Sequence, residues 1–275
     1  MNARTLSRAQ LLPTQPLIAA AVLAELAKEN EVELTPLAEI DPSLTIAVMA
    51  AANAPHLRQA RRVASVRQAM VLLGANAVEA IATCRTAALV LGPDDVGFPT
   101  GYWVRSITAA AASAVLAGRL GLNVDEAFTC GLLHDVGDLL LYRGDPEMHA
   151  VVASRIATNS RPILATEKSM FGRTHVEVGA DQLERWFFPE RIVRAVRSHH
   201  APAEALTDSL SRVVWGGHRL GAVIAGQPQL GAGEVTNPTT VLKVLGLGSE
   251  SPDRILSDAD RRVNAIIEIA SRDRS

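Results

Sequence analysis

Two cysteines are all the chain contains, Cys84 and Cys130, far apart and each set in an apolar stretch. Neither a disulfide framework nor a CxxC zinc site can be built from them, and a reducing cytoplasm fits best. Long apolar runs are missing as well. None reaches the roughly 20 residues needed to span a bilayer, and Met1 to Gln10 carries Arg4 and Arg8 without an apolar signal core, so neither a membrane association nor export is expected. Nor does charge of one sign dominate. The formal charge is −2 and the isoelectric point about 6.4, so no global basic field draws the chain to nucleic acid or an anionic membrane. Repeats, heptads and low-complexity tracts are absent, and Gly231-Ala232-Gly233 lacks the following GK[ST] of a phosphate loop, which leaves it a flexible connection.

Hydrophobic residues make up 48% of the 275 and charged residues 20%, with aromatics at 4%. That is globular composition, well away from disorder. The many Ala, Leu and Val residues recur at three and four positions rather than two, which predicts an all-α fold. Helices are expected from about Leu17 to Lys28, from Thr35-Pro36, from Asp41-Pro42, and over Ser65 to Leu73 with a stop at Gly74. Others are expected over Ala77 to Val90, Tyr102 to Leu120, Pro146 to Thr158, Ile163 to Phe171, His175 to Trp186, Glu190 to His199 and Leu206 to Ala225. Asn123 and Glu126 read as a capping box opening one helix that runs through Leu140. The cluster of breakers from Gly92 to Gly101 marks a boundary between two lobes. The expected organisation is an N-terminal extension (1–10), a two-lobed domain (11–228, divided into 11–97 and 98–228), and a loop with a last helical segment (229–275).

Chemistry concentrates in Gly131-Leu132-Leu133-His134-Asp135-Val136-Gly137, a His beside an Asp within a hydrophobic helix. Charged residues are rarely buried without partners, so this pair needs some. A hydrolytic metal would require three or more protein ligands and an open position for water. His175, His199, His200 and His218 are candidates, although each singly reads as a capping or satisfied structural histidine. Carboxylates are short: Asp181 and Asp208 are the nearby acids, and neither lies in a ligand pattern.

Several segments in order resemble the HDOD (HD-related output domain) family. They are Leu12-Pro13 with Pro16, Asp41-Pro42-Ser43-Leu44-Thr45, Ala52-Asn53, Ser65 to Ala69, Leu72-Leu73-Gly74, Trp103, Gly131 to Gly137, His175 to Gly179, and Arg197-Ser198-His199-His200. The resemblance implies an N-terminal helical lobe packed on a lobe derived from HD-type phosphohydrolases, and a regulatory role without catalysis. Against active HD hydrolases, Arg105 stands where the first metal-binding His belongs and His218 where the final Asp belongs. Asp138 stands where HD-GYP phosphodiesterases usually carry Lys. A fixed cation at Arg105 would repel a divalent ion by several kcal/mol at protein-like dielectric.

The expectation is therefore no bound metal and no cofactor, with Arg105, His134, Asp135, His175, His199, His200 and His218 forming a degenerate cleft. His134 and Asp135 would pair with Arg105 and His175 in a buried polar network. Arg58, Arg61, Arg62 and Arg67 form the densest basic cluster, either a solvated turn or a grip for an anion or acidic partner. Trp186-Phe187-Phe188-Pro189 reads as core and helix stop. The chain is expected to work as a signalling module that binds another signalling protein, in a cyclic-dinucleotide or two-component pathway, with an oligomer left open. The competing class is a metal-dependent phosphohydrolase acting on a nucleotide or cyclic dinucleotide.

Overall fold

A computed structural model describes residues 15–28, 33–57, 61–91, 98–159, 162–226 and 237–271. The 1–10 extension, Leu12-Pro13, Arg58, the stretch from Gly92 to Gly97 and the Gly231 to Gly233 loop lie outside the described residues. Every regular element among the described residues is helical, without a strand.

The N-terminal helices are α1 (Pro16–Leu26), α2 (Thr35–Ile40), α3 (Pro42–Ala52), α4 (Val66–Leu73) and α5 (Ala75–Leu91). Side-chain caps explain two of these starts. Asp41 Oδ1 accepts from Leu44 N at 2.8 Å and its Oδ2 from Gln15 N at 2.9 Å, while Ser65 Oγ accepts from Gln68 N at 3.3 Å. Gly74 ends α4 at φ +78°, which a side chain would resist. Helix α3 is buried over most of its surface and forms the middle of this half.

The second half begins with α6 (Tyr102–Arg119), followed by α7 (Val124–Leu133), α8 (Val136–Gly144), α9 (Pro146–Asn159), α10 (Ile163–Phe171), α11 (His175–Arg185), α12 (Glu190–Ser198) and α13 (Ser209–Ile224). Helix α6 is the axis of the molecule. Its small residues, Ala109 to Ala112, let α7 and α13 approach its backbone. A Cβ placed on Gly221 of α13 would sit 2.6 Å from Ala109 N and 2.8 Å from its Cα, closer than real Cβ atoms come. Trp103 Nε1 donates to Ile40 O at 3.2 Å, tying α6 to the N-terminal half. One core runs through both halves, from Ile18, Leu44 and Met49 to Leu132, Leu139, Ile192 and Val214.

Three expectations need correction. The helix through His134 is two helices, because His134 Nδ1 donates to Gly131 O at 2.7 Å and takes the carbonyl that the helical ladder would offer residue 135. The chain turns there, with Asp138 N reaching Asp135 O at 2.9 Å, and α8 leaves in a new direction. Asn123 does cap α7 by accepting from Glu126 N at 2.9 Å, but the Glu126 carboxylate is held by Arg191, so no box forms. The complete capping box is at Thr174 and Glu177, opening α11. Finally, the last helical segment is two helices, α14 (Pro238–Val244) and α15 (Pro252–Ser271). Val263, Ile266 and Ala270 of α15 enter the main core, so this segment packs along α6 and the N-terminal helices.

Candidate functional site

The turn between α7 and α8 drops His134 and Asp135 into the interior, and three other elements meet them there. His175 comes from the first turn of α11, His199 and His200 follow the last turn of α12, and His218 lies inside α13. His134, His175 and His199 are each at most 1% exposed. The family of rings is in edge or tilted contact, with centroids 4.4 Å apart for His199 and His200 and 5.0 Å for His134 and His218.

Their hydrogen bonds fix which nitrogen faces inward. Nδ1 of His134 donates to Gly131 O at 2.7 Å, and Nδ1 of His199 donates to Val196 O at 2.7 Å. Nδ1 of His175 lies 2.8 and 2.9 Å from the two oxygens of Glu167, whose Oε2 also accepts from the His175 backbone N at 2.8 Å. In all three rings Nε2 therefore points into the cluster. His175 Nε2 reaches His199 Nε2 at 3.3 Å, and His134 Nε2 reaches His218 Nδ1 at 3.0 Å.

Asp135 sits at the centre. Its Oδ1 is 3.6 Å from both His175 Nε2 and His199 Nε2, and its Oδ2 is 3.8 Å from His134 Nε2. Arg105 closes the other side, with Nε 3.5 Å from Asp135 Oδ2 and Nη2 2.7 Å from Asp138 Oδ2. His149 Nε2 meets the second oxygen of Asp138 at 2.6 Å.

Burial and charge act against each other here. Burial pushes the His199 ring down to about 4 in spite of Asp135, and it holds His134, His200 and His218 below the usual histidine range. Burial works the same way on His175, but the Glu167 carboxylate overrides it and lifts the ring to about 9. Asp135 is raised by burial yet ends well below the ordinary carboxylate range, because His134, His199, His175 and Arg105 stabilise its anion. The cluster thus holds one imidazolium, at His175, among neutral rings.

The expected cleft residues Arg105, His134, Asp135, His175, His199, His200 and His218 all come together. The acids singled out beside them do not. Asp181 is held by Arg173 and by Arg197, the latter at 2.9 Å, and Asp208 caps α13 by accepting from Ser211 N at 2.9 Å. Two carboxylates take their place, Glu167 and Asp138, with His149 behind the second. Glu167 left no trace in the sequence beyond being an acid within the helix before His175. The basic cluster divides. Arg67 makes a two-pronged pair with Glu39 at 2.9 and 3.1 Å, whereas Arg62 donates to Phe188 O at 3.0 Å and lies 5.8 Å from the Phe187 ring centre. Phe188 is buried and Phe187 half exposed. Arg61 is exposed.

The cluster opens onto a cavity of about 630 Å³, within the usual size range of small-ligand sites. Arg105, Asp135, Asp138, His175, His200 and His218 make its polar floor, and Val152, Ala153 and Ile156 of α9 belong to its apolar wall.

An all-helical fold with a buried His-Asp turn at its centre defines an HD-related domain. The HDOD-domain family model matches residues 12–202, and the chain belongs to that family. Among solved structures it is similar to the response regulator MmoQ of Methylococcus capsulatus str. Bath, at 27% identity over 90% of this chain and 98% of that one, with a TM-score of 0.72. It is also similar to an HDOD domain protein of Geobacter sulfurreducens, at 26% identity over 94% and 93% of the two chains, with a TM-score of 0.51. A shorter likeness joins it to ribonuclease Y of Fervidobacterium nodosum, 29% identical over 102 residues, or 37% of this chain. The chain spans 19% and 14% of the lengths of the curated relatives it matches. No helix among the described residues is long and apolar enough to cross a membrane.

Proposed function

We propose that this chain is a non-catalytic signalling module of the cytoplasm that acts by binding another protein. The observation that carries this reading is Arg105. Its guanidinium lies between Asp135 and Asp138 at the mouth of the cleft, 3.5 and 2.7 Å from their oxygens. Hydrolysis of a phosphodiester on an HD scaffold needs cations on the open side of the Asp to activate water and to take up phosphate charge. Here a fixed cation fills that side, and it has no position to give a nucleophile. Similarity to the response regulator MmoQ supports a place in two-component signalling.

The second reading, a metal-dependent phosphohydrolase, draws support from the crowd of imidazoles and from the likeness to part of ribonuclease Y. Turnover separates the two. Purified protein supplied in turn with Mn²⁺, Fe²⁺, Zn²⁺ and Mg²⁺ is expected to leave bis(p-nitrophenyl) phosphate and a cyclic dinucleotide intact. Metal-dependent cleavage that disappears in Asp135→Ala would overturn the non-catalytic reading. For the partner, Arg62 stacked on half-exposed Phe187 joins the two halves at the surface, and arginine with aromatic groups is favoured interface chemistry. Crosslinking with mass spectrometry should find contacts on both halves; contacts confined to residues after 228 would place the output surface elsewhere.

A further inference from the structure

We propose that Phe187, with Arg61, Arg62 and Arg185 around it, forms a docking surface for an acidic segment of a partner protein that carries an apolar side chain among its carboxylates. The proposal rests on the reading of the chain as a protein-binding module, and it names the surface and the kind of partner. The first observation is in the backbone. Phe187 lies at φ +62°, the one non-glycine with a positive φ among the described residues. It closes α11 as the left-handed residue of a Schellman turn: Phe187 N donates to Glu184 O and Phe188 N to Leu183 O, both at 3.0 Å. Gly121, Gly226 and Gly246 hold the same place after α6, α13 and α14, at φ +67°, +68° and +78°. A Cβ in that conformation crowds the carbonyl that follows it, which makes glycine the ordinary choice.

The core does not account for the ring. Phe188, next in the chain, is the buried aromatic at 1% exposed, whereas Phe187 is 38% exposed and belongs to neither hydrophobic cluster. Backbone strain held at an exposed side chain marks a functional position rather than a packing one.

Charge indicates what the ring would meet. Arg62 stands over it at 5.8 Å, and its Nη1 donates to Phe188 O at 3.0 Å, which orients the guanidinium beside the ring. Arg61 is the next residue in the chain, and Arg185 lies two residues before Phe187. All three arginines are exposed, and none has a carboxylate partner among the described residues. Of the acids flanking this turn in the chain, Glu190 is held by Arg194 at 2.8 Å, so Glu184 alone offsets the three cations. Guanidinium forks take carboxylates in two-pronged pairs, and a half-exposed aromatic among arginines is the usual make-up of an interface anchor. Nucleic acid finds no matching field elsewhere, since the formal charge is −2 and phosphate backbones are held by extended basic surfaces. Arg61 and Arg62 precede α4 while Phe187 follows α11, so an occupant touches both halves.

Random dodecapeptides displayed on phage and selected on the full chain test this surface. Enriched sequences should combine several Asp or Glu with an aromatic or aliphatic residue. As fluorescein-labelled synthetic peptides, they should bind more weakly as NaCl is raised. Phe187→Gly, which suits the φ of the turn, should keep wild-type helicity by circular dichroism and lose at least about 10-fold in affinity. Arg61→Glu with Arg185→Glu changes only exposed, unpaired side chains; melting should be unchanged, and a fresh selection should no longer enrich acidic sequences. No enrichment, enriched peptides without carboxylates, equal affinity in folded Phe187→Gly, or acidic peptides still enriched by the charge-reversed chain would overturn the proposal. So would an oligothymidylate that displaces the peptides, which would make the surface one for nucleic acid. Phosphodiester turnover dependent on Asp135 would sink the signalling reading and leave peptide capture at Phe187 standing; loss of the peptide result without turnover would sink this surface alone.

Discussion

Gly137→Ala is expected to lower stability by more than about 4 kcal/mol, a loss in the exceptional range for one substitution. Gly137 begins α8 where that helix lies against the start of α11. A Cβ there would overlap the His175 carbonyl oxygen and stand 2.8 Å from Gly179 N. Both obstacles are backbone, so no rotamer change relieves them. The two helices must move apart, which carries the His175 ring away from Asp135 Oδ1. Ordinary overpacking costs roughly 1 to 3 kcal/mol; here it comes with disruption of a buried polar network, whose members lose partners. Thermal melting should fall by about 8 to 16 °C on the usual scaling for a chain of this size. A control is available in Gly118, near the end of α6, whose Cβ would meet only Val124 Cγ2 at 3.8 Å. Gly118→Ala should be neutral or stabilising by up to about 1 kcal/mol, from helix propensity. A Gly137→Ala protein melting within 2 or 3 °C of wild type, by about the scale above, would show that α8 and α11 are not in the contact described.

Element positions were legible because they depend on local chemistry. Asp41-Pro42, Ser65 and Gly74 announce helix ends through side-chain caps and a positive φ, and the structure puts them there. The His-Asp pair was legible as a family motif through its ordered neighbours. Its backbone was not, since the break follows from a ring-to-carbonyl bond at Gly131 that apolar periodicity cannot register. The partners of the pair were half legible for a related reason. Histidines stand out by their rarity in a helical core, whereas Glu167 looks like any helix acid until α10 is folded against His175. Gly137 and Gly179 were likewise visible in the motifs without any sign that they face each other. Sequence spacing gives the face of one helix; which polar faces meet is decided by packing among α8, α10, α11 and α12.

Acidification of the chelator-treated protein from pH 7 toward 4.5 is expected to destabilise it steeply, and the cause is the number of neutral rings in the cluster. His199 titrates near 4 when folded, and His134, His200 and His218 are also held low, against an ordinary value of about 6.5 in the unfolded chain. Below 6.5 the unfolded state therefore binds more protons, and stability falls as pH falls. At about 1.4 kcal/mol per pH unit and ring, His199 alone removes roughly 3 kcal/mol by pH 4. Asp41 works the other way. Burial raises it to about 6, opposed by backbone N–H groups, so its charged form is a cost that protonation relieves between pH 6 and 4, by roughly 3 kcal/mol. These two offset one another, and His134, His200 and His218 carry the net loss. Asp135, held low, contributes stability that is lost only below about 4. On the alkaline side His175, raised to about 9, contributes stability that is complete below 6.5 and is lost as pH rises through 9, again roughly 3 kcal/mol. The optimum should lie near neutrality, with melting temperature declining on both sides. His218→Gln removes one of the rings and should flatten the acid limb by up to about 1.4 kcal/mol per pH unit. Urea denaturation at pH 7, 6 and 5 measures this directly. A stability that stays level or rises across that range would mean that the rings are solvated or charged in the folded protein, and that the cluster is not the dry network of neutral imidazoles around Asp135 that its burial implies.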